Sequence, residues 1–153
     1  MAAIDTDNHV DDFVSNLSEI FEDNTESLGI KEIYKEDVLM VPIVPSIAIS
    51  CTAMFNERIT VGSTNVRYET TFIGDVWYYQ AVINEDFKRN VIMSKAYKVA
   101  RHIMKNASLN GWLVNKRAIV RSCTYSPRIR AGMLLGAARI SLSAPKRIVI
   151  DVA

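Results

Sequence analysis

Residues 84–111 read NEDFKRNVIMSKAYKVARHIMKNASLNG, the clearest helical signature in the chain. Asn84 is placed to serve as N-cap, and Glu85 and Asp86 follow where acidic side chains complement the helix dipole. Phe87, Val91, Ile92, Ala96, Val99, Ala100, Ile103 and Ala107 recur at helical spacing, which makes one apolar stripe. Lys88, Arg89, Lys95, Lys98, Arg101 and Lys105 fall between them as a basic outer face. Gly111 stands where a left-handed residue closes a helix. The pattern predicts a long amphipathic helix laid on a sheet, with no residue that suggests catalysis.

The flanks supply the sheet. Upstream, Ile47 to Phe55 alternates Ile47, Ile49, Cys51, Ala53 and Phe55 against Ser50 and Thr52, a strand signal. Asn56-Glu57 reads as a turn, Arg58 to Val61 as a short strand, and Gly62 to Asn65 as another turn. Val66 to Ile83 is long and β-rich, and Gly74-Asp75 inside it reads as either a bulge or a tight hairpin turn. Val38 to Val44 is apolar, but Pro42 and Pro45 lack backbone donors and limit it to an edge or an extended lead-in. Downstream, Trp112 to Tyr125 reads as a strand with Val114, Ala118 and Val120 opposite Arg117 and Arg121. Ser126 to Gly132 is a basic loop, Met133 to Ser143 a strand, Ala144 to Arg147 a turn, and Ile148 to Val152 a last strand.

At the front, Asp7 or Asn8 can cap a second amphipathic helix with Val10, Phe13, Val14, Leu17, Ile20, Phe21 and Leu28 on its apolar side. Gly29 is its expected stop, Ile30 to Tyr34 follows as a short strand, and residues 1–7 read as a flexible start. Runs of strands separated by single helices argue for one α+β domain over 1–153. Its sheet is expected to be largely antiparallel, with two helices on one face.

Net charge is +1, yet residues 1–37 hold eleven acidic and two basic residues, whereas 38–153 hold sixteen basic and six acidic. An acidic front and a basic back suit contacts between copies. The expected faces are Asp11, Asp12, Glu19 and Glu22 on one side. On the other are Arg117, Arg121, Arg128, Arg130, Arg139, Lys146 and Arg147. No apolar run is long enough to span a membrane, and the acidic start does not read as a secretory leader. Cys51 and Cys123 lack any metal or redox spacing and read as free thiols.

A catalytic reading finds little to use. His9 and His102 read as ordinary helix-surface histidines, and Asp11-Asp12 and Glu85-Asp86 as helix-start acids. No phosphate loop, metal set or cofactor motif is present, so neither an enzyme nor a cofactor is expected. The segment 116–147 could contact nucleic acid through its cations, with Trp112, Tyr125 and the pair Tyr78-Tyr79 as stacking candidates. No recognised nucleic-acid-binding signature accompanies them.

The order of elements does match a known group. An acidic amphipathic helix leads to the entry strand Val41-Pro42-Ile43-Val44-Pro45-Ser46-Ile47-Ala48-Ile49. A long strand pair then enters a helix at Val82-Ile83-Asn84-Glu85-Asp86, and terminal strands follow. This resembles the small tail terminator, tail completion and neck proteins of tailed bacteriophages. The resemblance lies in element order and size and carries no functional residue across. It implies a non-enzymatic α+β protein that forms a homo-oligomeric ring, typically a hexamer, in the virion tail or neck. Its partners would be the tail tube protein and the neck or connector proteins, with DNA passing through the lumen. The alternative is a nucleic-acid-binding or adaptor module using 116–147.

Overall fold

The computed structural model describes residues 3–61, 65–81 and 88–151, and three long strands form its frame. β2 (Ser46–Val61) and β3 (Asn65–Ala81) lie antiparallel, and β6 (Met133–Asp151) follows β3 along its whole length, from Asn65↔Asp151 to Ala81↔Leu135. At ~3.3 Å per residue this ribbon is about 50 Å long. β1 (Glu32–Tyr34) adds in parallel to the start of β2, while β4 (Ile119–Tyr125) and β5 (Arg128–Arg130) line the far side of β6. The sheet order is β1-β2-β3-β6-β4. With helices α1 (His9–Glu22), α2 (Thr25–Leu28) and α3 (Arg89–Lys105), the fold is α+β with a largely antiparallel sheet, as the pattern predicts.

Both amphipathic stripes point at one face of that sheet. Phe13, Leu17 and Phe21 of α1 and Ile92, Ala96, Val99 and Ile103 of α3 share a core with Ile47, Ile49, Phe72, Val76, Tyr78, Ile140 and Leu142. α1 is capped by Asn8, whose side-chain oxygen accepts from the Asp11 amide, and the chain reverses at Gly29 in the left-handed region. The expected cap and first turn of α3, Asn84 to Phe87, lie outside the described residues. α3 ends at Asn106, before Gly111, because the Asn106 side chain and amide both take the last carbonyls. Gly111 (φ 82) instead closes a left-handed run begun by Leu109 (φ 50) and Asn110 (φ 63).

Several expected breaks are absent. Asn56 and Glu57 are not a turn; they pair with Thr70 and Glu69 in an unbroken β2. Their polarity comes from exposure on a strand. Gly74-Asp75 is neither a bulge nor a turn, because β3 runs straight through it. The bulge lies on the partner strand, between Cys51 and Ala53. It reverses the alternation, so Ile47, Ile49 and Cys51 face the helices while Ala53 and Phe55 face away.

Gly74 is required for a different reason. A Cβ there would lie 2.6 Å from the Phe13 ring, which sits on the sheet and stacks on Phe72 at 5.8 Å between centroids.

The expected turn at Ala144 to Arg147 is also strand. β4 stops pairing at Ser143, so Pro145 lies where β6 has become an edge and a missing donor costs nothing. Trp112 to Ala118 is not strand but a loop that delivers Trp112 to the core against Phe13 and Phe72. The expected basic loop at 126–132 is largely β5 and a two-residue hairpin turn, Ala131-Gly132, with φ of 52 and 75.

Within the start of the chain, Ile4 and Thr6 hydrogen-bond to α1. The Ile4 amide donates to Asn16 Oδ1 at 2.9 Å, and Asn16 Nδ2 donates back to the Ile4 carbonyl at 2.7 Å. Thr6 donates to both carboxylate oxygens of Asp12.

Candidate interaction surfaces

The sheet face away from α1 and α3 is covered at one end only. There Val41, Ala48, Tyr79, Leu135 and Ala137 form a second, smaller apolar cluster, with Tyr34, Val38, Val44 and Trp77 around it. The segment 35–45 is held on this cluster by one arginine. Arg128 lies 4.0 Å over the Trp77 ring, donates to Tyr79 Oη at 2.8 Å, and makes a two-pronged contact with Asp37 at 3.1 and 3.2 Å. Arg130 reaches the same carboxylate at 3.5 Å. Burial, with the nearby Asp37 charge second, pushes the Tyr79 phenol up to about 12.

This geometry revises the expected basic interface. Arg128 and Arg130 are internal fasteners, not an outward loop. Arg139 is spent on the buried carboxylate of Asp75 at 3.0 Å. Lys146 donates to the Trp112 carbonyl at 2.8 Å and lies over its ring. Arg121 is exposed and donates to Ser143 Oγ at 3.1 Å. Arg117 and Arg147 are exposed and make no ion pair with a described residue.

On the acidic side, Asp11 and Glu22 are exposed and Glu19 is half-buried, but Asp12 is 1% exposed and serves as the tether for Thr6. The basic signs were legible, but their partners lie far off in sequence: Asp37 is 91 residues from Arg128.

The histidines also differ from the expected surface pair. His102 Nε2 lies 2.6 Å from the Ile20 carbonyl and its ring packs on Phe21, which ties α3 to α1. His9 sits 3.4 Å from Asp12, and with Asp5 the three donors fall within 4.8 Å of one another. Asp12 already accepts two hydrogen bonds from Thr6, so this grouping is explained by tethering the start of α1. The stacking candidates are largely enclosed: Trp112, Tyr78 and Tyr79 are buried, and Arg89 covers Tyr125.

Cys51 and Cys123 are free, half-buried thiols, and burial pushes both pKa values up, away from reactivity.

Beyond the helices, β2, β3 and β6 continue as a three-stranded arm. Between exposed polar residues such as Glu57, Arg58 and Arg67 it also exposes large apolar ones: Met54, Phe55, Ile59, Val149 and Ile150. Between the arm and the start of α1 lies a groove of about 710 Å³, with Val10, Met54, Tyr68, Phe72, Ile148 and Ile150 among its walls. Both outer strands of the arm have open edges, since β1 covers only Ser46 to Ala48 and β4 ends at Ser143. Exposed apolar patches and unpaired edges mark surfaces for other chains.

No family model matches this sequence, and no curated protein matches it significantly. Among the described residues, no helix is long and apolar enough to cross a membrane.

Proposed function

We propose that this chain is a non-enzymatic structural ring protein of a phage tail or neck, which caps the tail tube and joins it to the head. The observation that carries the reading is the arm. A chain of this size gains nothing alone from two open edges and from exposed apolar side chains on both faces of the arm, Met54 and Ile150 on the helix side and Phe55 and Val149 on the other, whereas repeated contacts would cover them. The order of elements supports the same reading through its resemblance to tail terminator, completion and neck proteins. The small second cluster, held by Arg128 and Asp37, supports it too, since it stiffens one end of the ribbon without building a catalytic pocket.

Its place would be the virion, with assembly in the host cytoplasm, and its partners copies of itself, the tube protein and the neck or connector proteins. DNA would pass through without sequence readout. The experiment is electron microscopy of the purified protein, alone and mixed with tail tubes. Rings, free or seated on tube ends, are the expected result. Single particles that never decorate tubes would overturn the reading.

A further inference from the structure

The two lateral sides of the molecule carry opposite, unspent charge. α1 packs over β2 and α3 over β4 and β6, so the two helices occupy opposite halves of the helix layer. Along α3, Arg89, Lys95, Lys98, Arg101 and Lys105 occur with no acidic residue at all. Lys98, Arg101 and Lys105 are exposed, and none of the three makes an ion pair with a described residue. β4 beside it adds the exposed Arg121 and an open strand edge.

The α1–α2–β1 side is the reverse. Asp11, Glu22, Asp23 and Glu26 are exposed, and no lysine or arginine pairs with any of them among the described residues. The Glu19 carboxyl among them is pushed up, first by desolvation and then by Glu22 and Asp23, with Lys35 acting the other way. Lys31 and Lys35 offset part of this charge only.

We propose that the acidic α1–α2 side of one copy docks against the basic α3–β4 side of a second copy, so that each molecule offers a different patch to each neighbour. The contact is heterologous: it closes into a ring if the rotation between copies permits, and otherwise grows. It rests on the reading of the chain as a ring protein, and it locates the seam on α3 instead of on the 126–132 hairpin. The charge that selects the partner is the partner's own sequence. Charges at such a seam set register and encounter rate, so the contact weakens with salt.

A charge swap tests it. Glu22→Lys with Glu26→Lys cancels the net acidity of the α1–α2 side; Lys98→Glu with Arg101→Glu sets two acids at the centre of the basic side and leaves four of its six cations. All four positions are exposed, so each variant is expected to keep the wild-type melting temperature. Native mass spectrometry at low salt is expected to find multimers for wild type and the 17.2 kDa monomer for each double variant. Mixing the two variants, or combining all four changes in one chain, should restore multimers.

Rings that persist in both double variants would overturn the seam and leave the ring protein reading standing. Multimers that respond to the swap but never form rings would keep the seam and sink that reading. A wild type that stays monomeric at low salt would overturn the seam, and the ring reading would then fall only if the protein also never decorates tube ends. Loss of short-duplex DNA retention on α3 reversal, with unchanged mass, would assign α3 to nucleic acid instead.

Discussion

The same three strands live in two environments. From Ser46 to Cys51, Ile73 to Ala81 and Leu135 to Ser143, they lie under α1 and α3 and bury Ile47, Ile49, Val76, Tyr78, Ile140 and Leu142 completely or nearly so. Past the bulge at Thr52 the ladder continues to the end of the arm with one more register shift, between Arg58 and Thr60, yet Phe55 is 65% and Val149 58% exposed. Backbone pairing is therefore equally good in both halves, and the cover is not. Apolar alternation specifies a strand; it does not say whether the covering surface comes from the same chain.

Substitutions can break that comparison, and the largest effect belongs to the covered half. Val99 is fully buried between α3 and the sheet, so Val99→Asp is expected to cost about 4 kcal/mol or more, read by thermal or denaturant unfolding. Phe55→Ser in the arm should stay within ~0.5 kcal/mol of wild type for the isolated chain. Equal losses would mean that the arm is core after all. Next in size is Gly74→Ala, where the added methyl meets the Phe13 ring and should cost about 1–3 kcal/mol by overpacking. A neutral result would place Phe13 elsewhere.

Arg128→Ala removes a partly exposed ion pair and a cation–π contact, and should cost about 1–2 kcal/mol. Its more specific sign is local. Proteolysis should then cut near Leu39 and Met40, which are 83% and 62% exposed and lose their anchor at Asp37. Unchanged cleavage would show that the apolar cluster holds 35–45 unaided.

Two of the six tyrosines, Tyr78 and Tyr79, have phenols pushed up by burial to about 12. A folded pKa raised above the unfolded value of ~10 gives stability that is complete below pH ~10 and lost as pH rises towards 12. Absorbance titration should find two late phenols, and alkaline unfolding should release them together. The smallest effect is Lys98→Asp, one residue from Val99 and exposed, which should leave the melting temperature almost unmoved.

How much of this could be read beforehand follows the range of the interactions. Both helix stripes, the cap at Asn8 and the α+β class are local patterns, and they were legible; the front helix, however, stops at Glu22, and Gly29 ends the separate turn of helix α2. The expected turns that proved to be strand share one cause. Asn56-Glu57, Gly74-Asp75 and Ala144 to Arg147 carry local turn chemistry, but the ladder of long neighbours overrides it. Gly74 is explained only by Phe13, 61 positions upstream in the sequence. The charge asymmetry was visible, while its division into spent and unspent charges was not. Arg128, Arg139 and Lys146 looked as free as Arg117 until their partners were placed. His102 looked like a surface residue until the Ile20 carbonyl was found beside it.

The pairing of β3 with β6 also sets a schedule. The β2–β3 hairpin can close as soon as it is synthesised, but the strand that seals its second edge begins roughly fifty residues later, after α3, β4 and β5. At ~5–20 residues per second, the nascent chain exposes that edge for about 3–10 s. During this interval neighbouring ribosomes on one message could cross-pair their hairpins. The late arrival of β6 predicts that slower elongation through 82–133 lowers the yield of folded chain.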